Sequence, residues 1–198
     1  MFGPGFDLAV RYAGILCSDG VEHGMIGPRE ATRVWQRHLL NSAAVASLLA
    51  PAADVVDVGS GAGLPGIPLA LARPDLRVTL VEPLQRRVTF LQRCAAELGL
   101  PVTVVRARAE QLPAASADAV VARAVAPLSR LVPACLHVLR PRGTLLAMKG
   151  RTAEAEMDEV APALDRWPGA RMRLAEVSAA GEFARVVVVS RTAEPEAS

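Results

Sequence analysis

The spacing of apolar residues changes along the chain. From about 6 to 50 they recur every three to four positions: Leu8, Tyr12, Ile15 and Leu16, then Trp35, Leu39, Ala43 and Ala46. That period predicts two helices, interrupted between Gly24 and Pro28. Short apolar runs follow at 54–58, 77–81, 102–106, 118–122 and 144–148 and read as strands, with helical stretches at 64–72, 84–99, 127–139 and 152–166 between them. Near the end, 171–178 and 184–191 form two further strands joined by Ala179-Ala180-Gly181-Glu182. Strands alternating with helices predict an α/β fold, a doubly wound, mostly parallel seven-stranded sheet, with a small N-terminal helical extension. The expected organisation is 1–50 as the helical extension, 51–192 as the ligand-binding domain and 193–198 as a disordered tail.

In such a sheet, ligands bind beyond the carboxyl ends of the strands. The first strand runs into Asp57-Val-Gly59-Ser-Gly61-Ala-Gly63-Leu64-Pro-Gly66. Glycine lacks a Cβ, so backbone can approach a nucleotide closely there. Two cofactors use such a turn. Asp57 would repel a dinucleotide's pyrophosphate, whereas the amino-acid end of S-adenosylmethionine carries an ammonium, so the acid favours the methyl donor. Gly61-Ala-Gly63-Leu-Pro-Gly66 also matches the dinucleotide fingerprint, and Glu82 stands about 20 residues on, where that fold keeps its ribose-binding acid. The two terminal strands after five βα units suit the seven-stranded sheet of class I, Rossmann-like S-adenosylmethionine-dependent methyltransferases better than a simple dinucleotide fold.

The other strand ends supply further candidates. Glu82 can accept from both ribose hydroxyls, or serve as an acid near a helix start. Glu110 can meet an adenine amino group with Ala109 against the ring, or be a solvated helix-start acid. Arg123 at the fourth strand end would face the acceptor or the donor's carboxylate, or form a surface ion pair; the fifth strand ends in Lys149-Gly150. An Asn/Asp-Pro-Pro-aromatic loop, which exocyclic-amine methylation often uses, is absent from the fourth strand end, which reads Ala-Arg-Ala-Val. Cys135 falls inside a predicted helix and does not suit a pyrimidine-carbon nucleophile. A purine ring nitrogen needs neither device.

Composition narrows the classes. The 198 residues suffice for one domain with a sizeable core. No run reaches the ~18 uncharged apolar residues of a membrane span, and no signal-peptide pattern opens the chain. Cys17, Cys94 and Cys135 and the three histidines are scattered, which supports neither a metal site nor a disulfide framework. A reducing cytoplasm fits. The net charge of +2 is too small for general nucleic-acid affinity. Of 22 basic residues, only Lys149 is lysine.

Val34-Trp35-Gln36-Arg37-His38-Leu39-Leu40-Asn41-Ser42, Asp57 to Pro68, Arg87-Val-Thr-Phe90-Leu91, Arg108-Ala-Glu110, Arg123-Ala124 and Lys149-Gly150 together resemble the RsmG (GidB) family over residues 6 to 190. Many members carry aspartate where Asn41 stands and Lys-Arg where Arg86-Arg87 stand. The resemblance implies methylation of N7 of a guanine in the 530 loop of 16S ribosomal RNA, in naked RNA or the 30S subunit, with S-adenosylmethionine as cofactor. By motif match it implies donor contacts at Gly59, Leu64, Ala109, Glu110 and Arg123, beside Asp57, Gly61 and Glu82 from the chemistry above. It implies RNA contacts at Arg37, His38 and Lys149, with Arg86 and Arg87 beside them; Arg33 reads as a solvated helix face and Trp35 as core. No residue is assigned a catalytic role beyond positioning, and a monomer without metal or membrane association is expected. A nicotinamide-dependent oxidoreductase, or a binding-only regulator that keeps the fold, are the competing classes.

Overall fold

The computed structural model describes residues 1–167 and 169–191. The expected disordered tail at 193–198 lies outside them. Seven strands form one sheet: β1 (Asp54–Val58), β2 (Arg77–Val81), β3 (Thr103–Val105), β4 (Ala117–Arg123), β5 (Leu139–Lys149), β6 (Ala170–Ala179) and β7 (Glu182–Arg191). Their spatial order is β3-β2-β1-β4-β5-β7-β6. The first five are mutually parallel. β7 runs antiparallel between β5 and β6. This is the doubly wound, mostly parallel seven-stranded sheet that the alternation predicts.

Period-2 alternation sends successive side chains of the central strands to opposite faces. Val55, Ala119, Val121, Leu146, Met148, Val186 and Val188 belong to one hydrophobic cluster. Val56, Val58, Val120, Ala122, Leu145, Ala147, Val187 and Val189 belong to the other. Both faces are covered, which is why these strands read as unbroken apolar runs. The first face carries α1 (Phe6–Ile15), α3 (Asn41–Ala44), α4 (Gly66–Ala72) and α5 (Gln85–Leu98), most of whose buried apolar residues join its cluster. The second carries α6 (Leu128–Leu136) and α7 (Ala153–Val160). The short α2 (Pro28–Ala31) lies in the N-terminal segment.

That segment departs from two regular helices. α1 passes into a π turn at Leu16–Gly20, and Val34–Leu40 is π-helical before α3. Trp35 is partly buried and packs on Phe2 and Phe6, as expected of a core residue rather than a base platform. Tyr12 of α1 is fully buried and donates to the Ala62 carbonyl at 2.7 Å. The N-terminal segment therefore supports the glycine turn directly. The second departure is in β5, which begins at Leu139 rather than 144. Its pairing with β4 jumps from Ala117–Leu139 to Ala119–Thr144, and Arg142 between them has φ of 66°. Pro141 and Gly143 conceal this irregular start from a pattern search.

Candidate active site

The turn after β1 is built under constraint. Gly59 and Gly63 have φ of 69° and 99°. A Cβ on Gly59 would stand 2.7 Å from Val125 Cγ2, and one on Gly63 would stand 2.5 Å from Ile67 Cδ1. Neither position accepts a side chain without displacement. Strand parity puts Asp57 on the face of α4, and there its Oδ2 accepts from the Gly66 N–H at 3.0 Å. Asp57 is fully buried and its Oδ1 has no partner among the described residues. Burial, opposed by the Gly66 bond, pushes its pKa up to about 7.

Glu82 follows β2 and is 1% exposed. Its Oε2 accepts from the Gly61 N–H and its Oε1 from the Leu84 N–H, both at 3.0 Å. One carboxylate thus ties the glycine turn to the entry of α5. With about four lone-pair sites, it keeps capacity for further donors. Arg87 Nη1 stands 3.6 Å from it.

Gly59, Ala109 and Glu110 line a cavity of about 310 Å³ over the ends of β1 to β4, closed on the far side by Val125, Arg130 and Ala134 of the β4–α6 region. Ala109 is buried and Glu110 exposed. Leu64 is buried in the core cluster beneath the turn. A second cavity of about 650 Å³ opens next to the first and shares Val125 and Ala126 with it. Arg37, Arg123, Lys149, Arg151 and Arg185 line it against one acid, Glu156. Val125, pressed on Gly59, is the partition between the two spaces.

Parity also explains the partners of the two strand-end cations. Arg123 continues the Ala119–Val121 side and meets the N-terminal segment. Its Nη1 donates to Ser42 Oγ at 3.0 Å, and its Nη2 donates to the Arg37 carbonyl at 2.9 Å and to His38 Nδ1 at 2.8 Å. Lys149 continues the Leu145–Ala147 side and meets α7. Its Nζ donates to the Ala126 carbonyl at 2.6 Å and to Glu156 Oε2 at 2.8 Å. The same Glu156 oxygen accepts from the Leu128 N–H at the start of α6.

His38 does not present itself to a ligand as expected. It is 7% exposed, its Nδ1 accepts from Arg123, and its Nε2 lies 3.1 Å from Glu30 Oε2. Burial first, then the Arg123 charge, lowers its pKa to about 4. It is a neutral support for Arg123 rather than an RNA contact. Arg37 is exposed, paired with Glu30 at 3.1 Å, and shares the large cavity with Lys149. Arg86 and Arg87, at the start of α5, do not line that cavity. Sequence reading missed Glu30, Ser42 and Glu156. The spacing Val34–His38–Ser42 was a usable signal, since it puts two polar residues on one buried stripe that needs a polar partner.

Cys135 is fully buried on α6, consistent with its exclusion as a nucleophile. Among the described residues there is no cluster of potential metal ligands and no helix long and apolar enough to cross a membrane.

The rRNA small subunit methyltransferase G model (GidB) matches residues 6–167. The chain is 55% identical over 164 residues to a protein of Mycobacterium leprae (strain TN) named ribosomal RNA small subunit methyltransferase G, covering 81% of this chain and 66% of that one. It is 51% identical over 180 residues to the protein of that name from Rhodococcus jostii (strain RHA1), covering 89% and 79%. The chain therefore spans about two thirds to four fifths of these relatives. A solved SAM-dependent methyltransferase from Aquifex aeolicus superposes with a TM-score of 0.58 at 22% identity, covering 77% of this chain and 90% of that one. At that identity the likeness concerns the fold.

Proposed function

The chain belongs to the rRNA small subunit methyltransferase G family, and we propose that it transfers a methyl group from S-adenosylmethionine to N7 of a guanine in the 530 loop of 16S ribosomal RNA. The carrying observation is the pair of adjoining spaces: a pocket behind a glycine turn, and a cationic cleft across the Val125 partition. In this reading residues 1–50 form a helical extension that walls the cleft, and 51–192 hold the donor.

The residues fit that donor. The open Oδ1 of Asp57 suits an ammonium, although the residue is fully buried and lines neither cavity, and Val125 occupies the space over the Gly59 Cα. Gly61 and Leu64 shape the turn. The remaining lone pairs of Glu82 suit a ribose diol, Glu110 suits the adenine amino group, and Ala109 lies against the ring. When bound, the donor supplies a methyl group on a sulfonium. A guanine N7 would accept that group with its own lone pair. No proton leaves, so no general base is needed. The protein's task is alignment, which can supply on the order of 7–11 kcal/mol. Arg123 holds the segment 37–42 at the mouth, while Arg37 and Lys149, with Arg86 and Arg87 on the donor side, favour the RNA backbone. In this reading the protein works in the cytoplasm, where ribosomal RNA is made and assembled, and as a monomer.

The test is reaction with unmodified small-subunit RNA, naked and as the 30S particle, followed by cleavage selective for N7-methylguanine. One break in the 530 loop is expected. Methyl label on an exocyclic amine, a ribose or a protein overturns the assignment. Titration calorimetry should give binding of S-adenosylhomocysteine and none of nicotinamide dinucleotides.

A further inference from the structure

Phe183 is the most exposed large apolar residue among those described, at 69%. It lies two residues after a tight turn at Ala180-Gly181, whose φ values of 49° and 84° fit a two-residue hairpin loop. Alternation along β7 buries Ala184 and sends Phe183 and Arg185 to one face, and both line the cationic cleft. The position is fixed from two sides. Ser178 pairs with Phe183 across the hairpin, and Asn41 Nδ2 donates to the Phe183 carbonyl at 2.7 Å. Arg185 is anchored by Glu154 and by the Gly150 carbonyl at 3.4 Å. A solvent-facing ring on an anchored backbone, among cations, has no packing purpose within the chain.

We propose that Phe183 is a stacking platform for an unpaired RNA base next to the methylated guanine; this rests on the RNA-methylating reading above. Bases freed from a helix stack on aromatic rings whatever their identity, and arginines beside the ring hold the adjoining phosphates. The sheet order sets the ring apart from the glycine turn. β1, β4, β5 and β7 are successive neighbours, so the ring stands three strand spacings, about 14 Å, from the glycine turn along the sheet. Methyl transfer needs the reacting atoms about 3–3.5 Å apart. A base on Phe183 is therefore a neighbour of the one at the donor.

The experiment compares wild type, Phe183→Leu, Phe183→Ala and Phe183→Trp. Methylation of unmodified small-subunit RNA is followed as KM and kcat, with S-adenosylhomocysteine affinity measured alongside. Leucine and alanine should raise KM for RNA about tenfold, the scale of one lost stack, with kcat changed much less and S-adenosylhomocysteine affinity unchanged. Tryptophan should keep wild-type KM, and its fluorescence should be quenched as RNA binds. Equal KM for phenylalanine, leucine and alanine overturns the platform while leaving the methyltransferase reading intact. A wild-type protein that binds S-adenosylhomocysteine but neither binds nor methylates the RNA overturns both.

Discussion

Arg123 reaches back 85 residues to donate an N–H to His38 Nδ1 at 2.8 Å. With bonds to Ser42 and to the Arg37 carbonyl, it turns a strand-end cation into a clamp on the N-terminal segment. The charge is answered by neutral acceptors, and burial of the guanidinium lowers its pKa. The sequence placed Arg123 at the cleft but gave no hint that it holds the wall.

Arg123→Ala should therefore reduce both methyl transfer and stability. Loss of the clamp leaves the buried Ser42 and His38 without their donor, and each such unsatisfied group costs roughly 1–3 kcal/mol. Denaturant unfolding beside a methyl-transfer assay tests this. An unchanged midpoint with activity gone would restrict Arg123 to ligand contact.

Glu82→Gln keeps one acceptor oxygen for two backbone N–H groups. It should loosen the turn at Gly61 and lower stability by roughly 1–3 kcal/mol. Donor affinity, read by titration with S-adenosylhomocysteine, should fall with it. Full affinity in the folded variant would remove Glu82 from the donor site.

His38 sets an acid limit. Its pKa is lowered from 6.5 to about 4 in the fold, so between these values the unfolded chain takes up a proton that the native state refuses. The stability contribution is complete above pH 6.5 and is lost as pH falls towards 4, by at most ~1.4 kcal/mol per pH unit. His38→Asn should flatten this part of the stability–pH curve. The His38 ring resonances of the native protein should show no titration near pH 6.5.

Arg37→Ala should weaken RNA binding and reduce the log–log salt slope by about 0.7, the increment for one phosphate on a single strand. Donor affinity should remain as in wild type. Arg37 is the cleaner test than Lys149, whose side chain is 9% exposed and whose loss would leave Glu156 without its cation. An unaltered salt slope would take Arg37 off the RNA path.

β1 and β2 were legible to the residue, because apolar runs flanked by Asp54, Gly59 and Arg77 have abrupt ends. The start of β5 was not. Proline and glycine usually close a segment, whereas here Pro141 and Gly143 sit in a register jump inside the strand. The N-terminal period reads as helical, yet apolar spacing does not distinguish α from π turns, and the expectation that His38 meets RNA rests on the family resemblance, which says nothing of its burial. Asp57, Glu82 and Arg123 were found by their place at strand ends. Their tethers to Gly66, Gly61 and Ser42 come from tertiary packing that one-dimensional spacing does not encode.

The hydrogen bond from Asn41 to the Phe183 carbonyl spans 142 residues. The smaller pocket needs nothing beyond Ala134, whereas the cationic cleft takes Phe183 and Arg185 from β7. Every residue that lines the smaller pocket is thus made before β7, which supplies one wall of the cleft. The last strand inserts between β5 and β6 and completes that wall. A chain ending before Phe183 lacks that wall and also the β7 valines that sit in both hydrophobic clusters, so closing the core and completing the cleft are one event.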